Sequence, residues 1–295
     1  MNRREFMGRS AGGAVALTMA GPAVLSPQAE VLVLATDWGF EGDIYALCKK
    51  VRQAGYDGIE VWWSSDPVRK QQLREALKEY NLRVGFLCAG NGADFKAHLE
   101  QYKGAVEQAL EWEPLYINSH SGKDFFTFEQ NSRFIEFSLE KKGATEILHE
   151  THRGRMCYSV PVTTAFLARY PEMKLTLDIS HWTNVHESLL DDQAGAVNEA
   201  LRHTRHIHAR VGHQQGPQVN DPRAPEWENV MKRHLEWWDS AVKYQSESGK
   251  KQITFLTEFG PPTYLPTLPY TRQPLVNQWE VNVYMLNLLK ARYRK

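Results

Sequence analysis

From residue 30 onward, short runs rich in β-branched and other apolar residues alternate with longer stretches in which apolar residues recur at helical spacing. The runs are Val31 to Thr36, Gly58 to Trp63, Arg83 to Cys88, Leu115 to Ser119, Glu146 to His152, Lys174 to Ile179, His206 to Val211 and Gln252 to Glu258. Each reads as a strand. Between them, Val68 to Tyr80 places Leu73, Leu77 and Tyr80 on one helical face, and Glu228 to Tyr244 does the same with Met231, Leu235 and Trp238. Strands alternating with amphipathic helices predict parallel α/β architecture, and eight of them predict a closed (β/α)8 TIM barrel. An open doubly wound sheet is the rival. It would carry a glycine-rich phosphate loop after its first strand, where this chain has Asp37-Trp38-Gly39-Phe40.

No repeat, low-complexity tract or linker divides residues 30–295, which read as one barrel domain. Two connections are long: one runs from Ser121 through Phe125, Phe126 and Phe128, the other from Gly212 to Pro225. Loops at the C-terminal ends of barrel strands build active sites, so both are candidate walls.

Residues 1–29 have a different character. Arg3-Arg4-Glu5-Phe6-Met7 precedes a weakly apolar, Gly/Ala-rich run, the order of a signal peptide. It resembles the twin-arginine export signal, which implies an exported, periplasmic protein with no stable membrane insertion after export. Equal counts of Lys+Arg and Asp+Glu, 35 each, leave no global field to attract nucleic acid. A small-molecule partner fits better. Cys48, Cys88 and Cys157 form no CxxC pair and are expected to be unpaired buried thiols.

The candidate chemistry lies at the ends of the last four strands, in His149-Glu150-Thr151-His152, Asp178-Ile179-Ser180-His181, His206-Ile207-His208-Ala209-Arg210 and Thr257-Glu258. Side chains two apart in a strand share a face. Glu150 therefore goes with His152, Asp178 with Thr176, and His208 with His206 and Arg210, while Ile207 and Ala209 face the helices. Three carboxylates converging in a confined space repel one another unless a cation lies between them. The mixed oxygen and nitrogen set Glu150, Asp178, His208 and Glu258 suits one divalent ion of Mn, Zn, Co or Fe(II) better than calcium.

These four elements resemble the signature of the xylose isomerase-like barrel superfamily, which includes sugar isomerases, ketose 3-epimerases, inosose dehydratases and endonuclease IV-type proteins. The segments His149-Glu150-Thr151-His152-Arg153-Gly154-Arg155 and Leu177-Asp178-Ile179-Ser180-His181-Trp182 resemble its exported branch of sugar phosphate isomerase/epimerase type. The resemblance implies a metal that polarises a substrate carbonyl and stabilises an enediolate, with Glu150 and Glu258 as catalytic acid and base. Return of the proton elsewhere gives isomerisation or epimerisation of a sugar. Departure of a β-substituent makes the enzyme a lyase or hydratase on a keto-sugar or keto-glycoside.

Two positions depart from the ketose 3-epimerase pattern, Met156 in place of a second Glu and Gln214 in place of an Arg. In their stead His152, His181, Arg210, Arg155 and His120 are candidate substrate contacts, and Trp38 is a candidate cover for the apolar face of a sugar ring. An endonuclease IV-type repair enzyme would need further histidine ligands, one of them after the third strand, where Cys88-Ala89-Gly90 stands. A non-catalytic sugar-binding protein would not need four metal ligands.

Overall fold

The computed structural model describes residues 29–141 and 143–294. The expected export segment, residues 1–29, lies outside these apart from Ala29. Eight strands form one closed barrel in sequential order: β1 Glu30–Thr36, β2 Gly58–Trp62, β3 Arg83–Ala89, β4 Ile117–His120, β5 Ile147–Glu150, β6 Leu175–Leu177, β7 Thr204–His208 and β8 Gln252–Thr257. All eight pairings are parallel, and β1 closes on β8 from Glu30↔Gln252 to Ala35↔Thr257. The predicted (β/α)8 barrel is the observed fold.

Helices α1 Ile44–Ala54, α2 Pro67–Tyr80, α3 Phe95–Leu110, α4 Phe128–Glu140, α5 Val160–Arg169, α6 Ile179–Val185, α7 Ala194–His203, α8 Glu228–Glu247 and α9 Gln278–Tyr293 surround it. Their starts are chemically specified: Asp43, Asp66 and Asp94 accept hydrogen bonds from first-turn backbone amides, and Thr127 with Gln130 forms a capping box. Gly55, in the left-handed region at φ 90°, ends α1 and turns the chain into β2. Among the described residues no helix is long and apolar enough to cross a membrane.

Strand parity divides the molecule into two interiors. Outward residues such as Val31, Val33, Ile59, Phe86, Ile117, Ile207, Ala209, Ile253 and Phe255 join the core between barrel and helices. Leu32, Leu34, Tyr116, Leu148 and Leu256 form a smaller cluster inside the barrel. Above that apolar floor, the inward positions become polar. The three cysteines are free and buried, as expected.

Several strands end earlier than their apolar runs suggest. The sixth run extends from Lys174 to Ile179, but Asp178 turns out of the ladder and caps α6, with Oδ1 accepting from Ser180 N. The fifth strand stops at Glu150 and the seventh at His208, although Thr151 N still donates to Thr176 O and Ala209 N to Leu256 O. The chain leaves the ladder where its polar side chains turn towards one another. Trp182, Trp237 and Trp238 are buried packing residues of helices, and Trp63 packs edge-on against Phe86 and Trp112.

Candidate metal centre and active site

The inward row of β7 organises the polar layer. His206, His208 and Arg210 are buried and face the barrel axis, as parity predicts. Around His208 Nδ1 lie Glu258 Oε2 at 2.9 Å and Glu150 Oε1 at 3.8 Å. At 2.9 Å His208 Nδ1 and Glu258 Oε2 form an ion pair when the imidazole is protonated, but among the described residues none of these three atoms makes a well-aligned hydrogen bond. Asp178, His208 and Glu258 are close enough to hold one ion, and so are Glu150, Asp178 and His181. The four ligands expected from sequence are therefore brought together at one end of the barrel. Buried carboxylate oxygens and an imidazole nitrogen fit a divalent cation.

Glu150 and Asp178 are held from behind. Glu150 Oε2 accepts from Asn118 Nδ2 at 2.6 Å and lies 2.9 Å from His120 Nε2. Asp178 is fixed through its backbone amide, which donates to Thr151 Oγ1 at 2.8 Å, and through Oδ1, which accepts from Ser180 Oγ at 2.5 Å. Its other oxygen, Oδ2, pairs with Arg210. Arg210, expected to contact substrate, thus spends one nitrogen on Asp178 and also lies 3.6 Å from Glu258 Oε2. It still lines the cleft.

The electrostatics follow from burial opposed by neighbours. Burial raises the Asp178 carboxyl to about 7, with Glu258 and Glu150 adding to the rise and Arg210 and His208 opposing it. For Glu150 burial also raises, but His120 and His208 overcome it and hold the carboxyl well below its usual range. His208 goes the other way: burial disfavours its charge, yet Glu258, Glu150 and Glu60 together push it well above an ordinary histidine. The rises at Asp178 and His208 reflect crowded carboxylates, whereas Glu150 keeps its charge because two histidines face it.

A cleft of about 160 Å³ opens over this layer, lined by Thr36, Asp37, Trp38, Glu60, Val61, Trp62, Leu87, His120, His152, Arg210, Glu258 and Tyr264. His120, His152 and His181 stand in a row beside it, with ring centroids 4.5 and 3.9 Å apart. Burial, helped by His120 and Arg210, keeps His152 well below its usual range, and burial with His152 and Arg210 does the same for His181. His152 Nδ1 lies 2.5 Å from Arg153 O, and a carbonyl only accepts, so the proton sits on Nδ1 and Nε2 is an acceptor. His181 sits behind Arg210, 2.8 Å from its Nη2.

Trp38 is at the cleft, as expected. A Cβ at Gly260 would overlap its ring, so the glycine permits the seat, and Tyr264 packs edge-on at 4.8 Å. Gln278 of α9 donates to both Trp38 O and Phe259 O at 2.8 Å, tying the loops after β1 and β8 together. Arg155 is not among the cleft's lining residues. It is half-buried with one guanidinium nitrogen unpartnered, and Arg153 instead reaches Asn184 and the Tyr264 ring. Of the two loops expected as walls, the first buries part of Phe126 against Phe95 and leaves Phe125 exposed, while the second supplies Gln218, which brackets Gly260 through its N and O.

Five residues at or below the cleft escape a reading of the sequence: Asp37, Glu60, Asn118, His206 in any functional role, and Tyr264. Glu60 does carry a signal, as a charged residue at an inward position of the otherwise apolar β2, and Asn118 shares the inward face of the largely polar β4 with His120. Tyr264 has none, because it lies in a long segment after β8 without periodicity.

With this geometry established, comparison with solved structures places the architecture. The fold is the xylose isomerase-like barrel. The probable 3-DHS dehydratase involved in petrobactin synthesis from Bacillus anthracis matches at a TM-score of 0.58 and 14% identity, over 90% of this chain and 100% of its own. The 3-keto-D-glucoside 4-epimerase from E. coli matches at 0.58 and 14%, over 89% and 100%. Endonuclease IV from Thermus thermophilus matches at 0.54 and 12%, over 89% and 97%. A dehydratase, an epimerase and a nuclease on one barrel mean that the fold alone does not choose a reaction. No protein-family model matches the sequence, and none of the curated proteins does.

Proposed function

We propose that this protein is a divalent-metal-dependent sugar isomerase or epimerase that moves a proton at the carbon beside a carbonyl. The observation that carries this reading is the placement of two buried carboxylate oxygens, from Glu150 and Glu258, about one nitrogen of His208. Glu150, Asp178, His208 and Glu258 would hold the ion. When bound, such an ion withdraws electron density from a carbonyl and its neighbouring hydroxyl and acidifies the C–H between them. The chain's own groups do the rest. One of the two glutamates takes the proton from carbon and the other, across the site, supplies one to the neighbouring carbon or to the opposite face.

His152 favours proton shuttling over leaving-group protonation, because its free Nε2 accepts. It would take a proton from a substrate hydroxyl as that oxygen becomes a carbonyl. Trp38, Trp62 and Tyr264 give the cleft an aromatic rim suited to the apolar face of a sugar ring. A repair nuclease of the endonuclease IV kind fits less well, since Ala89, the inward residue at the end of β3, offers no ligand. The small-molecule reading also agrees with zero net charge.

Proton NMR in D2O tests this, with the Zn(II)- or Mn(II)-loaded protein and a panel of ketoses, inososes and keto-glycosides, the paramagnetic metal being removed before spectra are taken. The expected result is solvent deuterium at the carbon beside the carbonyl together with a rearranged sugar. A vinylic signal would replace isomerisation by elimination, and no exchange with any member would refute the mechanism. Export through Arg3-Arg4 we propose on sequence alone. Changing both to Lys should retain the precursor in the cytoplasm, and normal export of that variant would refute the route.

A further inference from the structure

Beneath His208 lies a second group of polar side chains that the proton-transfer reading does not use. Glu60, on β2, is buried and inward, with Oε1 3.4 Å from His208 Nε2 and Oε2 3.5 Å from His206 Nε2. His206 is fixed in turn: its Nδ1 lies 3.1 Å from Thr254 O and its ring stacks on Tyr116 with centroids 4.0 Å apart. The Glu60 carboxylate is thereby confined between two imidazoles.

We propose that Glu60 is a positioning residue that accepts the Nε2 proton of His208 from below and so keeps Nδ1 as the nitrogen facing Glu150, Asp178 and Glu258. This rests on the metal centre proposed above. Exclusion around a single ring selects the tautomer. A bare Nε2 would point its lone pair at the Glu60 anion, and a bare Nδ1 would point its own at Glu258 and Glu150. With a cation on the Nδ1 side, the state free of both conflicts carries its proton on Nε2. A carboxylate behind a ligating histidine fixes its tautomer and orientation and raises its basicity.

Two rivals make different predictions. Asn118 Nδ2 lies 3.2 Å from the same Nε2, and if it donates there the proton moves to Nδ1, which then cannot bind metal. Glu60, His206 and His208 are also close enough to hold an ion themselves. That would require Nε2 to lose its proton while Nδ1 is engaged on the other side.

The test uses the full chain, stripped with a chelator and titrated with Zn(II) against a chromophoric competitor, in wild type, Glu60→Gln and His208→Ala. Wild type should bind one zinc, with Glu60→Gln weaker by about tenfold or more at unchanged circular dichroism. In the Zn(II)-loaded wild type, 15N NMR of labelled histidines should show His208 protonated at Nε2, the resonance being assigned by its loss in His208→Ala. That measurement needs no Glu60 variant to fold. Wild-type affinity in Glu60→Gln, or an unprotonated Nε2, overturns the positioning role. Two zinc ions in wild type and one in Glu60→Gln would make Glu60 a ligand and overturn it equally. If His208→Ala binds zinc as tightly as wild type, the metal centre itself is misassigned and both readings fall; loss in His208→Ala without loss in Glu60→Gln removes only this one.

Discussion

His149 and Glu150 are neighbours in β5, yet they belong to different interiors of the molecule. His149 points outward and is satisfied on both sides, with Nδ1 2.8 Å from Ser121 Oγ and Nε2 2.8 Å from Ser138 Oγ. His234, in α8, is likewise satisfied, by Val230 O and by Gly212 N. Inside the barrel, His208 faces three glutamates, and among the described residues its Nδ1 makes no well-aligned hydrogen bond, only a 2.9 Å ion-pair contact with Glu258. Burial alone brings His149 down to about 3, while carboxylates drive His208 up. Equal burial with opposite electrostatics separates a histidine that packs from one that is available for chemistry. What a buried polar group faces decides its role, and the fact of its burial does not.

The sharpest way to break this comparison is to remove charge from the inner set. Glu258→Gln keeps the shape and one coordinating oxygen but no longer accepts a proton at neutral pH. Turnover, followed as deuterium exchange at the acidic carbon, should fall by roughly 100- to 10,000-fold, about 3 to 5 kcal/mol of transition-state stabilisation. The melting temperature of the metal-free protein should hold or rise, since one of several crowded carboxylates has gone. A variant with wild-type exchange would remove Glu258 from the mechanism.

The outer set should respond in the opposite sense. His149→Ala leaves the Ser121 and Ser138 hydroxyls without their shared partner and opens a void between β5 and α4. The expected cost is about 2 to 4 kcal/mol of stability, measured by urea unfolding, with metal content and exchange rate retained in the folded fraction. Loss of metal at unchanged stability would show that the division between the two interiors is drawn in the wrong place.

Sequence makes one of these interiors more legible than the other. Barrel architecture can be read because parallel strands buried on both faces must be apolar runs, and eight of them recur with helices between. The ligands can be read because period-two parity is rigid within a strand, so Glu150 with His152 and His206 with His208 and Arg210 must share faces. That logic weakens where strands end. Parity gives Asp178 the right face although it has already left the ladder to cap α6. It offers Arg210 to the substrate because the pairing with Asp178 crosses from β7 to β6, a contact that no spacing encodes. Glu60 stands out in sequence as a polar inward residue, but its role does not, because its partners His206 and His208 are far away along the chain and adjacent only after the barrel closes.

The smallest expected effect concerns the pH dependence of the outer histidines. Burial lowers His149 to about 3 and His234 to about 4 from an ordinary value of 6.5. Because the folded-state values are depressed, the unfolded chain binds more protons than the native one below pH 6.5. The neutral histidines therefore contribute stability that is present above pH 6.5 and lost as pH falls towards 4 and then 3, at up to about 1.4 kcal/mol per pH unit for each group. Asp178, raised to about 7, and Asp37, raised to about 6, also titrate between pH 6.5 and 5, but they are common to both proteins, so a comparison of wild type with a His149 variant over that window isolates the histidine. His149→Gln keeps polar contact with the two serines and does not titrate there. Its stability should decline less than wild type across that window, by about 1 to 2 kcal/mol in unfolding free energy. Parallel declines in the two proteins would mean that His149 is no harder to protonate folded than unfolded. The contrast with His208 would then rest on hydrogen bonding alone, without the electrostatic half of the argument.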